Sequence, residues 1–228
     1  MTEIHVLDDP AAAVAERVAA AAEAGEHIVL TGGSTPAHAY DMAARATPDW
    51  SEATVWFGDE RCVAPDHPDS NYAMARHALL DRLGAQPQVH RMKGELGPEA
   101  GAGDYEALVR EHLGALPRWD LLLLGLGPDG HCASLFPSKP EWHVTNRLVV
   151  GVPEAGMEPQ VPRISLTLPA IDSARTVLFL ITGESKAQAV RRAFGDPPDP
   201  DLPAAHVHPS EGELLVFCDP AAAAELER

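Results

Sequence analysis

Short, mostly apolar runs separated by turn-forming residues recur along the chain and predict buried strands. Such runs, bounded by Gly, Pro, Asn or Asp, are typical of strands that are covered on both faces of a parallel sheet. The segment 163–169 is compatible with either a strand or the start of a short helix. The predicted strands span residues 28–30, 54–57, 121–124, 147–152, 176–182 and 214–217, with a shorter one at 89–92.

Segments between these runs have the composition of helices. Gly25 is placed to end the first helix, and Ser70 or Asn71 can cap the third. The glycine-rich segment 94–104 is predicted to be a loop. The predicted helices span 11–24, 36–44, 72–83 and 105–116; another ends near Phe194 with Lys186 in its first turn, and short ones begin at Ser134 and close the chain.

Strands therefore alternate with helices over the whole sequence. This order predicts an α/β protein with a mostly parallel sheet and helices on both faces. The length of 228 residues suits one such domain, spanning residues 1–228, and is short for two.

Four loops with chemically useful residues directly follow predicted strands. They read GGST (32–35), GDER (58–61), PDGH (128–131) and GESK (183–186). Because the carboxyl ends of parallel strands lie at one edge of the sheet, these loops are expected to meet around one ligand.

The most informative of these loops lies in DLLLLGLGPDGHCASLFP, residues 120–137. It places the carboxylate of Asp129 and the imidazole of His131 two residues apart at a strand end. Histidine ordinarily titrates near pH 6.5 and therefore suits a general base at neutral pH, so His131 is the predicted chemical centre. Asp129 either orients this imidazole or a water, or is simply a turn residue before Gly130.

The GGSTP segment predicts an oxyanion site. A glycine-rich loop between a strand and a helix presents free N–H groups and the positive end of the helix dipole. A cation in the first turn of a helix opposes the dipole, and a bound phosphate offsets that cost. A plain turn and surface charges are the alternative interpretation. The candidate phosphate ligands are Gly32, Gly33, Ser34, Thr35, Arg163 and Lys186.

Composition excludes several classes of protein. The 34 acidic residues against 17 basic ones give a net charge of −17, which argues against nucleic acid as a partner. Cys62, Cys132 and Cys218 are widely spaced and favour neither a disulfide framework nor a zinc ribbon. His206 and His208 have a metal-binding spacing but no evident third ligand, so no metal site is predicted.

The compartment is expected to be the cytoplasm. The first ten residues lack the basic segment and apolar core of a signal peptide. No apolar run approaches the roughly 20 residues that a membrane-spanning helix needs, so no membrane partner is expected.

Taken together, the motifs resemble those of the 6-phosphogluconolactonase family. They are TGGSTP (31–36), GDERCVAPDHPDSN (58–71), LLGLGPDGHCASLFP (123–137), PRISLTLPAI (162–171) and GESKAQAV (183–190), and the resemblance covers about residues 28–217. It implies one modified Rossmann-like α/β domain, similar to that of glucosamine-6-phosphate deaminase. It also implies hydrolysis of 6-phospho-D-glucono-1,5-lactone to 6-phospho-D-gluconate, in the pentose phosphate pathway, without metal or organic cofactor. A monomer or weak homo-oligomer is expected.

The resemblance gives the candidate residues their roles. His131 is expected to take a proton from the water that attacks C1 and to return it to the ring oxygen. Asp59 is expected to hold sugar hydroxyls or orient that water. Arg61 is expected to pair with the phosphate or the developing oxyanion. Apart from the resemblance, the alternative for Asp59, Glu60 and Arg61 is a solvated loop with a surface ion pair, and for Glu60 this is the prediction.

Two other classes of function remain open. Related deaminases carry a GHIAFNEP-like segment, whose glutamate supports the histidine, and usually a tyrosine after their Asp-Glu pair. This chain has GHCASLFP and Arg61 at those places, which favours the lactonase, and Cys132 stands where that family usually has threonine. A non-catalytic sugar-phosphate-binding protein would keep only the phosphate loop. The absence of GxSxG argues against a covalent serine route.

Overall fold

A computed structural model describes residues 2–226, in which strands and helices alternate. The strands of this part are β1 (Thr2–Val6), β2 (His27–Leu30), β3 (Thr54–Phe57), β4 (Asp59–Arg61), β5 (Gln88–Val89), β6 (Leu121–Leu124), β7 (Val149–Val152), β8 (Arg163–Leu166), β9 (Thr176–Ile181) and β10 (Glu213–Cys218). The α-helices are α1 (Pro10–Glu23), α2 (Ser34–Ala46), α3 (Asn71–Ala78), α4 (Pro98–Leu113), α5 (Leu168–Ile171) and α6 (Ala187–Phe194). Short 3₁₀ turns span Leu80–Arg82, Gly94–Leu96, Pro140–His143, Glu184–Lys186 and Pro203–His206.

The main sheet is parallel throughout and has seven strands in the order β1-β10-β9-β6-β2-β3-β5. All four residues of β6 are buried, and every residue of β9 and β10 after the first is buried too. Since successive side chains of a strand point to opposite faces, both faces of the sheet are covered. This confirms the predicted α/β class with a mostly parallel sheet.

A second, antiparallel sheet has the order β4-β8-β7 and was not predicted. Its register places Asp59 opposite Ser165 and Arg61 opposite Arg163. The expectation that Glu60 lies in a solvated loop was wrong, because Glu60 lies within β4 and is only 3% exposed. A charged tripeptide has a poor strand signal, and only its pairing with β8 makes it a strand.

Helix α4 packs against β7 and β8 and begins at Pro98, well before the predicted start at residue 105. Proline suits the first turn of a helix because the N–H group it lacks has no partner there. Gly101, which suggested a loop, instead permits close packing. A Cβ atom at that position would lie 2.4 Å from Cδ1 of Ile164.

Other predicted helices also differ from the structure. Residues 134–136 form no helix, because Ala133 has a positive φ of 48° and Cys132 makes an isolated bridge to Leu135. The helix predicted over 72–83 ends at Ala78. The predicted terminal helix is a series of turns over 220–226, and its last two positions lie outside the described residues. Segment 163–169 contains both predicted alternatives, because the strand β8 ends at Leu166 and the helix α5 begins at Leu168. The edge strand β1 was not predicted.

Trp56 of β3 is fully buried at the centre of an aromatic cluster. The His90 ring stacks on it at 4.2 Å, and Trp119 and His112 approach it edge-on. His90 is 8% exposed, and its Nε2 has no hydrogen-bond partner among the described residues. Burial, together with the neighbouring His112 and His27, lowers the pKa of His90 to about 4.

His90 should therefore make the fold sensitive to acid. Because histidine in the unfolded chain titrates near pH 6.5, the unfolded state binds more protons than the folded state between pH 6.5 and about 4. Stability is then lost as the pH falls through this window. We expect His90→Phe, which keeps the ring stacked on Trp56, to flatten the pH dependence of the melting temperature there.

The matched control is His38→Phe, because His38 is an exposed residue of α2 that forms no ion pair among residues 2–226. It should leave the slope between pH 6.5 and 4 unchanged. Equal slopes for the wild-type protein and His90→Phe would contradict the assignment.

Candidate functional site

The loops that follow β9, β6 and β2 meet at one edge of the main sheet, where β3 leads through Gly58 into β4, because these four strands are parallel neighbours. They surround a cleft of about 260 Å³, to which residues of β4, β8 and the segment 153–162 also contribute. Most of the predicted site residues line this cleft: Gly32, Gly33, Asp59, Arg61, His131, Arg163 and Lys186.

The remaining predicted residues lie beside the cleft. Ser34 is exposed at the start of α2, and the Thr35 hydroxyl bonds to the hydroxyl of Thr182 at 2.9 Å. This bond joins the first turn of α2, which follows the glycine loop after β2, to the loop after β9. Asp129 lines a second cleft of about 950 Å³, together with Trp142. Asp129 nevertheless reaches His131, so it forms part of the wall between the two clefts.

His131 and Asp129 form a close pair. Nδ1 of His131 lies 2.6 Å from Oδ1 of Asp129, which also accepts the backbone N–H of His131 at 3.2 Å. Burial raises the pKa of the Asp129 carboxyl, but the hydrogen bond and charge of His131 outweigh that effect and lower it. With Nδ1–H donated to Asp129, Nε2 carries the lone pair, and it has no hydrogen-bond partner within residues 2–226.

Gly127 makes room for the His131 ring. A Cβ atom at this position would lie 2.0 Å from Nδ1 of His131, which is far inside van der Waals contact. The Gly127 N–H also donates to the His131 carbonyl at 2.8 Å and closes the loop. On another side, the ring lies 4.7 Å from the ring of Phe136. The imidazole is therefore held in place by contacts on several sides.

Two arginines face each other across β4 and β8. Arg163 is 3% exposed, and its guanidinium donates to the carbonyls of Val161 at 3.0 Å and Pro159 at 2.7 Å. Burial, and then the charge of Arg61, lower the pKa of Arg163. Like charges at directly opposed strand positions are unfavourable. Their presence at a cleft is typical of a site for an anion.

The Arg61 side chain is only partly satisfied by the protein. Nη1 donates to the Asp69 carbonyl at 2.6 Å, whereas Nε is buried and has no partner among the described residues. Lys186, near the start of α6, donates to the Leu126 carbonyl at 2.7 Å. Burial lowers the pKa of Lys186, and the nearby Asp129 carboxylate opposes that shift. The cleft thus contains three cations with donor capacity left for a ligand.

Two residues at the site were missed by the sequence analysis. Ser134 donates its hydroxyl to Oδ2 of Asp59 at 2.6 Å, and the Asn71 amide donates to Oδ1 of Asp59 at 3.1 Å. Both line the cleft and are almost fully buried. Ser134 lies in the most specific motif, which was the available signal. Asn71 was considered only as a helix cap, because no local pattern links it to Asp59.

Residues 2–226 contain no group of three or more His, Cys, Asp or Glu side chains that can hold a metal ion. None of the helices in this range is long and apolar enough to cross a membrane.

Comparisons with known proteins show which family the sequence matches. The family described as glucosamine-6-phosphate isomerases/6-phosphogluconolactonase matches residues 3–216. A 6-phosphogluconolactonase of Synechocystis is 40% identical over an alignment of 215 residues that covers 91% of this chain and 88% of that protein.

Solved structures show the same fold. A 6-phosphogluconolactonase from Trypanosoma cruzi superposes with a TM-score of 0.88 at 28% identity, covering 100% of this chain and 98% of that one. A monomeric glucosamine-6-phosphate deaminase has a TM-score of 0.82 at 21% identity, covering 98% and 99% of the two chains, and shares the fold.

Gly127→Ala should displace the His131 ring, because the added methyl group cannot share space with Nδ1. We expect the downfield NMR signal of the proton between His131 and Asp129 to shift strongly or disappear. Gly103→Ala is the control, since a Cβ atom there meets nothing within 4 Å. An unchanged proton signal in Gly127→Ala would show that the ring is not confined as described.

Proposed function

Because the chain belongs to the glucosamine-6-phosphate isomerase and 6-phosphogluconolactonase family, we propose that it is a 6-phosphogluconolactonase. It hydrolyses 6-phospho-D-glucono-1,5-lactone to 6-phospho-D-gluconate, the second step of the oxidative pentose phosphate pathway. The observation that carries the proposal is one cleft with a free His131 Nε2, backed by Asp129, and a pair of arginines. Ester hydrolysis needs a base, and a phosphorylated substrate needs cations.

His131 activates the water in this mechanism. Nε2 takes a proton as the water oxygen attacks C1, and Asp129 stabilises the imidazolium that forms. The tetrahedral intermediate then collapses as the bond between C1 and the ring oxygen breaks. His131 returns its proton to that oxygen, which becomes a hydroxyl. The carboxylic acid at C1 loses its own proton to give the gluconate anion.

The phosphate lies at the cationic part of the cleft. The backbone of Gly32, Gly33 and Ser34 offers N–H groups at the start of α2, with Thr35 beside them. Arg163 and Lys186 supply positive charge. Arg61, whose Nε has no hydrogen-bond partner among residues 2–226, binds the phosphate or the oxyanion that develops at C1.

The residues after His131 favour a lactonase over the related deaminase. The Ser134 hydroxyl is bonded to Asp59, and Phe136 packs against the imidazole. The carboxylate in contact with His131 is Asp129, which precedes it. The segment that would carry the deaminase glutamate therefore offers no acid to the ring.

The proposal includes the working form of the protein. One domain, acting as a monomer or weak homo-oligomer in the cytoplasm, carries the activity without a metal or organic cofactor and without nucleic acid. The free state of all three cysteines is in keeping with a reducing compartment.

The test of the proposed function is an initial-rate assay with freshly prepared 6-phosphogluconolactone, corrected for spontaneous hydrolysis. We expect His131→Ala to lower kcat by about 10²-fold or more, as for loss of a general base, while 6-phosphogluconate still binds. His77→Ala is the control on the surface of α3. A wild-type rate at background would refute the function, and full activity of His131→Ala would refute the base.

The phosphate site is tested separately. Arg163→Ala and Lys186→Ala should raise KM by about 10-fold or more with little change in kcat, because a remote anchor binds ground and transition states alike. Arg45→Ala, which removes a largely exposed arginine from α2, should change neither. Equal hydrolysis of the unphosphorylated lactone would contradict the site.

A further inference from the structure

Glu60 is a buried carboxylate that none of the preceding mechanism uses. It lies on β4 between Asp59 and Arg61 and is 3% exposed. Because side chains alternate along a strand, Asp59 and Arg61 point to one face, toward the cleft that both line, and Glu60 points to the other.

Each carboxylate oxygen of Glu60 accepts two hydrogen bonds. Oε1 accepts the backbone N–H groups of Arg61 and Asn71, each at 2.7 Å. Oε2 accepts the Tyr72 N–H at 2.8 Å and the Ser70 hydroxyl at 2.9 Å. The carboxylate thus joins β4 to the first turn of α3, where the helix dipole favours a negative charge. Burial raises the pKa of Glu60, and these four hydrogen bonds oppose that shift.

The first residue of α3 connects this clamp with the cleft. The Asn71 amide nitrogen donates to the backbone carbonyl of Asp59 at 2.9 Å and to its carboxylate at 3.1 Å. Gly32, in the loop after β2, packs so closely on Asn71 that a Cβ atom there would lie 2.0 Å from Oδ1 of Asn71. Asn71 therefore touches both the carboxylate end and the glycine loop of the cleft.

We propose that Glu60 is a positioning residue for the reaction, acting through Asn71 to set the orientation of Asp59. This rests on the proposed lactonase function. Glu60 does not touch the substrate; it fixes the backbone from which Asn71 reaches Asp59. The bond from the Arg61 N–H to Glu60 also fixes the strand position from which the Arg61 side chain enters the cleft.

Glu60→Gln is a sharp test because it keeps the size of the side chain. The glutamine amide has one oxygen, so its NH₂ group must face either the two N–H groups of Arg61 and Asn71 or the Tyr72 N–H with the Ser70 hydroxyl. In both orientations a donor meets a backbone N–H donor, and the clamp opens on that side.

The experiment is a double-mutant cycle on kcat/KM with Glu60→Gln, Asn71→Ala and the double variant. We expect each single substitution to lower kcat/KM by about 10-fold or more. The kcat/KM of the double variant should lie within about threefold of that of the less active single variant. Multiplying effects would mean that Glu60 does not act through Asn71. Wild-type kinetics of Glu60→Gln would also overturn the proposal.

Two controls separate an effect of Glu60 on the position of Asp59 from an effect on the stability of the fold. All variants are assayed at least about 15 °C below their own melting temperatures, a margin roughly four times the shift of about 4 °C that 1 kcal/mol produces at most in a chain of this size. Asp120→Asn is the control. Asp120 also accepts a hydrogen bond from a backbone N–H group, that of His27, but this bond lies at the start of β2, at the end of the sheet away from the cleft. It should lower stability without changing kcat/KM.

Glu60→Asp keeps the negative charge but sets the carboxylate back by one methylene group. We therefore expect its kcat/KM to lie between that of Glu60→Gln and that of the wild-type protein.

Failure of the proposed function looks different from failure of this inference. If the wild-type protein lacks lactonase activity, binding of 6-phosphogluconate by calorimetry replaces the rate as the readout of the same cycle. Weaker binding in both single variants without a further loss in the double variant then supports the clamp. Additive losses in binding overturn it.

Discussion

The whole site depends on the parallel alignment of β9, β6, β2 and β3 in the main sheet. Parallel strands are joined by crossover connections, because the chain has to return to the amino-terminal end of the sheet before it begins the next strand. Each connection therefore starts at the carboxyl end of a strand, where its first residues can form part of a site. The segments that follow these four strands, of which the one after β3 is the strand β4, therefore meet at one edge without any long-range signal in the sequence. The hydroxyl bond between Thr35 and Thr182 ties two of them together directly.

The antiparallel sheet adds a different constraint, which is the two-residue period of side chains. Its register places Arg61 opposite Arg163, and the side chain of Glu60 points to the other face of β4. One tripeptide thus supplies the cleft with a carboxylate and a guanidinium and supplies the scaffold with a buried anion. The repulsion within the arginine pair is partly offset by the main-chain carbonyls that accept hydrogen bonds from both guanidinium groups.

The extent to which the sequence predicts this structure follows from how local each signal is. The four leucines of β6 and the loop around His131 were predicted correctly, because apolar runs and glycines act through neighbouring residues. The start of α4 was missed because Gly101 is explained only by Ile164, a distant residue. Glu60 and Asn71 were misjudged for the same reason. Their roles arise from contacts across 10 to 12 positions of chain, which no local pattern contains.

The position of Asp129 between two clefts has an electrostatic consequence. In the proposed mechanism, a substrate in the first cleft expels water from the Nε2 side of His131. The Asp129 carboxylate, which is 38% exposed, lines the second cleft and stays in contact with water there. The proposed substrate thus removes water from the imidazole without isolating its partner carboxylate in a low dielectric, where that group would take up a proton.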